Sequence, residues 1–271
     1  MPKSNIAVIM SVYKEDTVTM FTQAVNSILK QSIPCDLLIY QDGIVSESLS
    51  RYIADIEKLS NVFIIRCKEN KGLAVALNSL IEVSILKRYQ YIARMDSDDI
   101  SHPKRLAKQV DFLDLNSNVD VVGTSCHEFG ASFALNEKHL PRTHEELVNF
   151  SITRCPFIHP TVMFRSSVFT SGFRYPTDTN LTEDMALWFL LLNNKIQFAN
   201  INEVLLDYRL NEGTIKRRSG FKKAISEVII RFKNMLSLKK VSFKNIILIL
   251  SRIAFHLLPE RLLKIAYWKL R

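Results

Sequence analysis

The run Ile6-Ala-Val-Ile-Met-Ser-Val12 is apolar at every position but Ser11 and rich in β-branched residues. That composition suits a strand buried on both faces, which is the interior of a parallel sheet. The residues that follow support it. Thr17 to Lys30 carries Met20, Phe21, Ala24, Val25, Ile28 and Leu29 at helical spacing, and Pro34 closes the segment. Leu37 to Tyr40 is a second strand ending in the turn signal Gln41-Asp42-Gly43. A helix over 47–58, a strand over 62–65, a helix over 73–87 and a strand over 91–95 come next, then a helix opened by Pro103 and a strand over 119–122. Regular alternation predicts an α/β fold with a parallel, Rossmann-like sheet covered on both faces. In such sheets ligands bind beyond the carboxyl ends of the strands, so the loops after Val12, Asp42, Arg66 and Asp96 should converge on one crevice. After Gly130 the alternation weakens, and a mixed region to about Arg209 should complete the cleft.

The seven glycines form neither G-x-G-x-x-G nor G-x-x-x-x-G-K. The loop after the first strand, Ser11-Val-Tyr-Lys-Glu-Asp16, also lacks the glycines a sugar-nucleotide pyrophosphorylase needs there. Phosphate must be held by another device. Asp96-Ser97-Asp98-Asp99, at the end of a buried strand, offers one: Mg²⁺ or Mn²⁺ prefers oxygen ligands and takes one or two carboxylates together with substrate phosphates. Helix capping by Asp98, Asp99 and Ser101 ahead of Pro103 is the alternative for the same residues.

With its companions, this pattern resembles a family 2 glycosyltransferase of the GT-A (nucleotide-diphospho-sugar transferase) fold, an inverting class, over roughly residues 5–213. The closest-looking members build bacterial O-antigen and exopolysaccharide. Ser11, Val12, Tyr13 and Glu15 fill the nucleotide-contacting loop, and Asp42 matches the base-binding aspartate, although Gln41 stands where a second acid is usual. Asn70-Lys-Gly72-Leu-Ala-Val-Ala76-Leu-Asn78 reproduces an N-x-G-x-x-x-A-x-N element, and Asp96-Ser-Asp98-Asp99 is followed by Pro103, Arg105 and Gln109 as in the family. Ile158-His159-Pro160-Thr161 and Thr182-Glu183-Asp184 resemble acceptor-side motifs, and Tyr208-Arg209 a late element near the diphosphate.

The resemblance implies a nucleotide-diphosphate sugar as donor, Mn²⁺ or Mg²⁺ on Asp96 and Asp98, and Asp184 as general base with Glu183 and His159 on the acceptor side. Pyrimidine donors follow family habit. A carboxylate at a helix start faces the positive end of the helix dipole, which favours the ionised form a base requires. Capping by Thr182 and its neighbours is the plainer account of the same sequence. Arg94 and Arg209 supply cationic support to the diphosphate, with a strand-end ion pair the other reading of Arg94. His102, His127, His139 and His144 show no metal-ligand spacing, and Trp188 reads as core.

Charge is unevenly placed. Residues 214–271 carry fifteen Lys/Arg against Glu227 and Glu260, a net of +13, so 1–213 has a net of −4 within the total of +9. Ile246, Ile249, Leu250, Ile253, Leu257 and Leu258 form one stripe in this tail, and Leu263, Tyr267, Trp268 and Leu270 follow Pro259. Aliphatics opposite Lys/Arg suit a helix lying in a membrane interface; a solvated face over ordinary packing is the alternative, and nucleic acid is not expected. No apolar run reaches the roughly 18 residues of a spanning helix, and no secretory signal is read. Cysteines 35, 67, 126 and 155 form no CxxC pair and read as free thiols of a reducing cytosol. The expectation is a GT-A domain over 1–213 and a basic amphipathic tail over 214–271. It would be a cytoplasmic enzyme, peripheral at the inner face of the membrane, using a lipid-linked saccharide. A non-catalytic scaffold of a polysaccharide assembly is the rival of another kind.

Overall fold

The computed structural model describes residues 4–179, 182–213 and 221–257. The strands are β1 (Ile6–Tyr13), β2 (Asp36–Asp42), β3 (Val62–Cys67), β4 (Tyr91–Arg94), β5 (Ile100–Ser101), β6 (Val121–Phe129), β7 (Met163–Arg165) and β8 (Phe198–Arg209). They form one sheet in the order β3-β2-β1-β4-β7-β6-β8-β5. β1 pairs in parallel with β2 and β4, and β2 with β3, as the alternation predicts. The later strands depart from it. β7 inserts antiparallel between β4 and β6, so the strand expected near 119–122 is not β4's neighbour. Its run of three residues is too short to show in a periodicity.

Helices α1 (Val18–Leu29), α2 (Glu47–Ile56) and α4 (Arg105–Leu115) cover one face of the sheet, burying Phe21, Leu49, Ile53, Leu106 and Leu113 against Val8, Met10, Val12, Leu37 and Ile39. The other face takes α3 (Leu73–Leu86), α6 (Ser166–Thr170) and α7 (Glu183–Asn193). There Leu77, Ile81, Phe169 and Leu187 pack on Ala7, Ile9 and Leu38. Trp188 is fully buried among Phe157, Phe164 and Phe198, as its core reading requires. α5 (His144–Ser151) opens with a complete capping box between Thr143 and Glu146.

The tail forms α8 (Phe221–Ser237) and α9 (Phe243–Leu257), antiparallel and packed on the body. Here the expected stripe is corrected. Ile249 is fully buried, and Ile246 and Ile253 pack with Ile152, Val228 and Met235. Ile249 thus faces protein with Ile246 and Ile253 partly buried beside it, and of the described stripe residues only Leu250 is exposed. α9 is apolar on two sides, so periodicity alone did not tell which side the body covers. The Leu257 side chain, Leu258 and the second amphipathic stretch, 260–271, lie outside the described residues. Among the described residues no helix is long and apolar enough to cross a membrane, and the four cysteines are free thiols.

Candidate active site

β1 and β4 are neighbours, so their carboxyl ends deliver Tyr13 and Arg94 to one edge. Beyond β4 the chain turns through Asp96, Ser97, Asp98 and Asp99. One carboxylate oxygen from each of Asp96, Asp98 and Asp99 lies within 4.8 Å of the others. Three hard oxygen donors at that spacing fit Mg²⁺ or Mn²⁺. A further sign of fit is Asp99 Oδ2, which is buried and has no hydrogen-bond partner, whereas buried carboxylate oxygens are ordinarily satisfied.

Electrostatics describe the same site. Burial pushes the Asp98 carboxyl up to about 7, with repulsion from Asp96 and Asp16 adding and Arg209 opposing. Burial likewise holds Asp99 well above the usual range, again with Asp96 and Asp98 adding. Crowded, desolvated acids are what a bound cation relieves. Arg94 is fully buried and paired with Asp96, the strand-end ion pair of its alternative reading. Arg209 grips the acidic turn: its Nε donates to Asp98 O at 2.7 Å, its backbone N–H to Asp99 Oδ1 at 2.7 Å, and Nη2 to Gln23 at 2.7 Å. The guanidinium also lies 4.5 Å from the Phe129 ring centre.

Asp16 belongs to this cluster and was not singled out in the sequence. Its Oδ2 accepts the Tyr13 N–H at 2.7 Å and its Oδ1 the Ser97 hydroxyl at 2.8 Å. It thereby ties the β1 loop to the acidic turn, and burial raises its carboxyl to about 6. Glu15, the acid chosen from the sequence, is exposed and 3.8 Å from Lys14. A one-residue difference in a loop decides which acid faces inward, and loops have no period from which to read it. Val12 is fully buried in the core, so that position offers a donor only its backbone; Ser11 and Tyr13 are partly buried beside it.

The base-side residues also have structural work. Both Asp42 oxygens accept amides of the β3–α3 loop, Lys71 N–H at 2.7 Å and Gly72 N–H at 2.9 Å, and Asn70 Nδ2 donates to Asp42 O at 3.2 Å. Gly72 starts α3 at φ +88°, a conformation that disfavours a side chain. At Gly43 a Cβ would sit 3.2 Å from Asn70 N. Asn78 clamps the 173–175 segment to α3, donating to Tyr175 O at 2.8 Å and accepting Tyr175 N–H at 2.9 Å. Both its amide oxygen and its amide nitrogen are engaged by this clamp. Of the four expected strand ends, Arg66 stands apart in an exposed pair with Glu57 at 2.7 Å.

Arg105 and Gln109 are buried braces between the two halves of the cleft. Arg105 donates to Arg94 O at 3.1 Å and Pro160 O at 2.8 Å; Gln109 donates to Val122 O at 3.2 Å and Thr161 O at 2.8 Å. They fix the His159–Thr161 turn beside the acidic turn. His159 Nε2 lies 2.9 Å from the Tyr175 hydroxyl. Burial, with repulsion from Arg94, holds His159 well below its ordinary pKa. Tyr175, also unmarked in the sequence, is where the two halves meet. Burial raises its hydroxyl pKa, Arg94 opposes, and Asp184, Asp96 and Glu183 add.

Glu183 and Asp184 open α7, both partly buried. Thr182 occupies the N-cap position, but its side chain makes no capping bond; Asp184 Oδ1 accepts the Met185 N–H at 2.7 Å. The structure thus groups Asp16, Asp96, Asp98, Asp99 and Arg209 on one side, and His159, Tyr175, Glu183 and Asp184 on the other.

A mixed sheet of this topology with an acidic turn beyond β4 is the GT-A fold of nucleotide-sugar glycosyltransferases. The chain belongs to glycosyl transferase family 2, whose profile matches residues 7–179. It is 30% identical over 258 residues to the UDP-Gal:alpha-D-GlcNAc-diphosphoundecaprenol beta-1,3-galactosyltransferase of Escherichia coli, spanning 93% of this chain and 91% of that protein. It is 28% identical over 265 residues to the amylovoran biosynthesis glycosyltransferase AmsE of Erwinia amylovora, spanning 97% and 98%. Among solved structures, S. aureus TarS 1-349 in complex with UDP-GlcNAc superposes with a TM-score of 0.66 at 15% identity, over 93% of this chain and 72% of that one. The mannosyltransferase PcManGT of Pyrobaculum calidifontis, solved with GDP-Man and Mn²⁺, gives 0.62 at 13% identity, over 97% and 72%.

Proposed function

We propose that this protein transfers a hexose, with inversion, from a UDP-sugar to a lipid-linked saccharide during synthesis of a bacterial surface polysaccharide, O-antigen or exopolysaccharide, at the inner face of the cytoplasmic membrane. The observation that carries the reading is the acidic turn with its unpartnered Asp99 oxygen, standing across Tyr175 from Asp184. The Escherichia coli and Erwinia amylovora relatives, matched over nearly their full lengths, support the lipid-linked acceptor and the polysaccharide setting.

Asp96 and Asp98, with Asp99 behind them, would hold Mn²⁺ or Mg²⁺. The cation supplies Lewis acidity, neutralising charge on the departing diphosphate. The residues do the rest. Asp184 takes the proton of the acceptor hydroxyl; that oxygen bonds to the anomeric carbon from the face opposite the diphosphate. The bond from the anomeric carbon to the diphosphate oxygen breaks, and its electron pair leaves with UDP. Single in-line displacement inverts the centre. Arg209 keeps the acidic turn in register and adds positive charge beside it. Ser11 and Tyr13, the Val12 backbone and the loop that Asp42 anchors through Asn70 and Gly72 form the nucleotide side, while His159 and Glu183 line the acceptor side.

A panel of UDP-, dTDP- and GDP-sugars, with and without Mn²⁺, tests this by thermal shift and by transfer to an undecaprenyl-diphosphate saccharide. Stabilisation by a UDP-sugar only when Mn²⁺ is present, followed by product formation, is the expected result. No nucleotide-sugar stabilisation under any condition would overturn it in favour of a non-catalytic scaffold.

A further inference from the structure

The α8–α9 hairpin ends in a hydrogen-bonded turn. Lys239 closes α8 in the left-handed region at φ 54°, with Lys239 N–H donating to Leu236 O at 3.1 Å and Lys240 N–H to Met235 O at 3.0 Å. Ser242 opens α9: its carbonyl accepts Ile246 N–H at 3.0 Å and its hydroxyl Asn245 N–H at 3.1 Å, while Asn245 Nδ2 donates to Lys240 O at 2.8 Å. Below the turn the hairpin is fastened to the body. Glu227 lies buried between Arg231 at 2.8 Å and Arg252 at 3.1 Å, and Arg231 reaches Ser151 O at 3.1 Å. The tip is therefore carried on a hairpin tied to the body.

What this tip displays is unusual for a water-facing turn. Leu236, Val241 and Phe243 are 61%, 55% and 80% exposed within eight residues of one another. Phe243, Ile247 and Leu250 then continue along α9 at i, i+4 and i+7, all exposed and flanking the packed Ile246, Ile249 and Ile253. Lys239, Lys240 and Lys244 surround the trio, and no acid occurs between Glu227 and Glu260. A partner for this surface must be anionic at its face and apolar just beneath. A nucleic acid meets the first requirement but gives aliphatic side chains nothing to enter; a second copy brings the same lysines face to face. An anionic bilayer meets both.

We propose that the hairpin tip, Leu236, Val241 and Phe243 ringed by Lys239, Lys240 and Lys244, inserts into the headgroup region of an anionic lipid bilayer and docks the enzyme there. This rests on the reading of a membrane-bound acceptor and names the element that meets the membrane. It also places the docking at the hairpin tip, off the Ile246, Ile249 and Ile253 positions that pack on the body.

Co-sedimentation of the full chain with phosphatidylglycerol-containing vesicles, against pure phosphatidylcholine, tests it. The expected result is partition to the anionic vesicles, weakened at least tenfold by L236S/V241S/F243S. K239Q/K240Q/K244Q should remove the anionic preference, at about fivefold per lysine. I225S/I229S, at exposed aliphatics elsewhere on α8, should bind as the parent. Tip variants that lose vesicle binding yet hydrolyse donor sugar at the parental rate would support docking by the tip independently of the acceptor's identity. Parental vesicle binding by both tip triples, or no binding by the parent, overturns the proposal. So does a vesicle-free dimer in sedimentation velocity that the apolar triple abolishes, or tighter binding to an RNA oligonucleotide than to vesicles.

Discussion

Asp98→Asn makes the electrostatic description of the site measurable. Folding raises the Asp98 carboxyl from 3.8 to about 7. An acid whose folded pKa exceeds its unfolded value binds protons better in the native state, so the protein loses stability as pH rises from 3.8 and carries the whole penalty above about 7. Three pH units at about 1.4 kcal/mol each set an upper bound of about 4 kcal/mol. Part of the rise is repulsion shared with Asp96 and Asp16, so about 2–4 kcal/mol is the expectation. Asn cannot ionise. In chelator at pH 8, therefore, Asp98→Asn should melt above the parent by about 4–16 °C, taking about 2–4 °C per kcal/mol. At pH 5 the gain should shrink to less than half. Saturating Mn²⁺ at pH 8 should reverse the order, because binding to the native state stabilises only the parent. Thermal melts at the two pH values, with chelator and with Mn²⁺, supply the four numbers. Equal melting of the two proteins in chelator at pH 8, or a gap that does not change with pH, would refute the picture of crowded, cation-seeking acids.

Asp184→Asn should lower transfer by about 10²–10⁴ while the UDP-sugar dissociation constant, by calorimetry, stays within about twofold; full turnover would remove Asp184 from the base role. Asp16→Asn retains an acceptor for the Tyr13 N–H and, with the Ser97 hydroxyl reversed, the second contact, so it should keep most activity. Loss of its charge should raise the half-saturating Mn²⁺ concentration several-fold. Asp16→Ala frees the acidic turn from the β1 loop and should cost at least about tenfold in kcat; parental kinetics in Asp16→Ala would deny it a positioning role. Tyr175→Phe leaves the Asn78 clamp intact, because that clamp uses Tyr175 backbone atoms. It should cost about 1–3 kcal/mol of stability and raise KM for acceptor more than for donor, and an unchanged acceptor KM would separate His159–Tyr175 from acceptor binding. Because cation ligands must be deprotonated, the half-saturating Mn²⁺ concentration should rise up to about tenfold between pH 7 and pH 6; a flat profile would contradict the raised Asp98 carboxyl.

Short, nearly continuous apolar runs at 6–12 and 37–40, alternating with helical patterns, suit strands inside a covered parallel sheet, so the first half of the fold was legible from periodicity. The position of the acidic turn followed, because it sits where a buried strand must end. Other assignments needed the packed molecule. The one-residue choice between Glu15 and Asp16 depends on the path of an aperiodic loop. The burial of Arg94 against Asp96 depends on how β7 closes over β4. Tyr175 was invisible because nothing marks it locally; Asn78, almost a hundred residues earlier, and His159 bring it to the cleft. Arg105 and Gln109 were visible as a motif, yet their work as braces between Arg94, Pro160, Val122 and Thr161 is a contact of distant segments.

By itself, then, the sequence determined the sheet, the acids beyond β4 and the excess of cations in the tail, because local burial patterns, short motifs and net charge are properties of neighbouring residues. Only the tertiary structure decided which acids face one another and which side of α9 remains open, because both depend on segments far apart in the chain competing to cover the same surface.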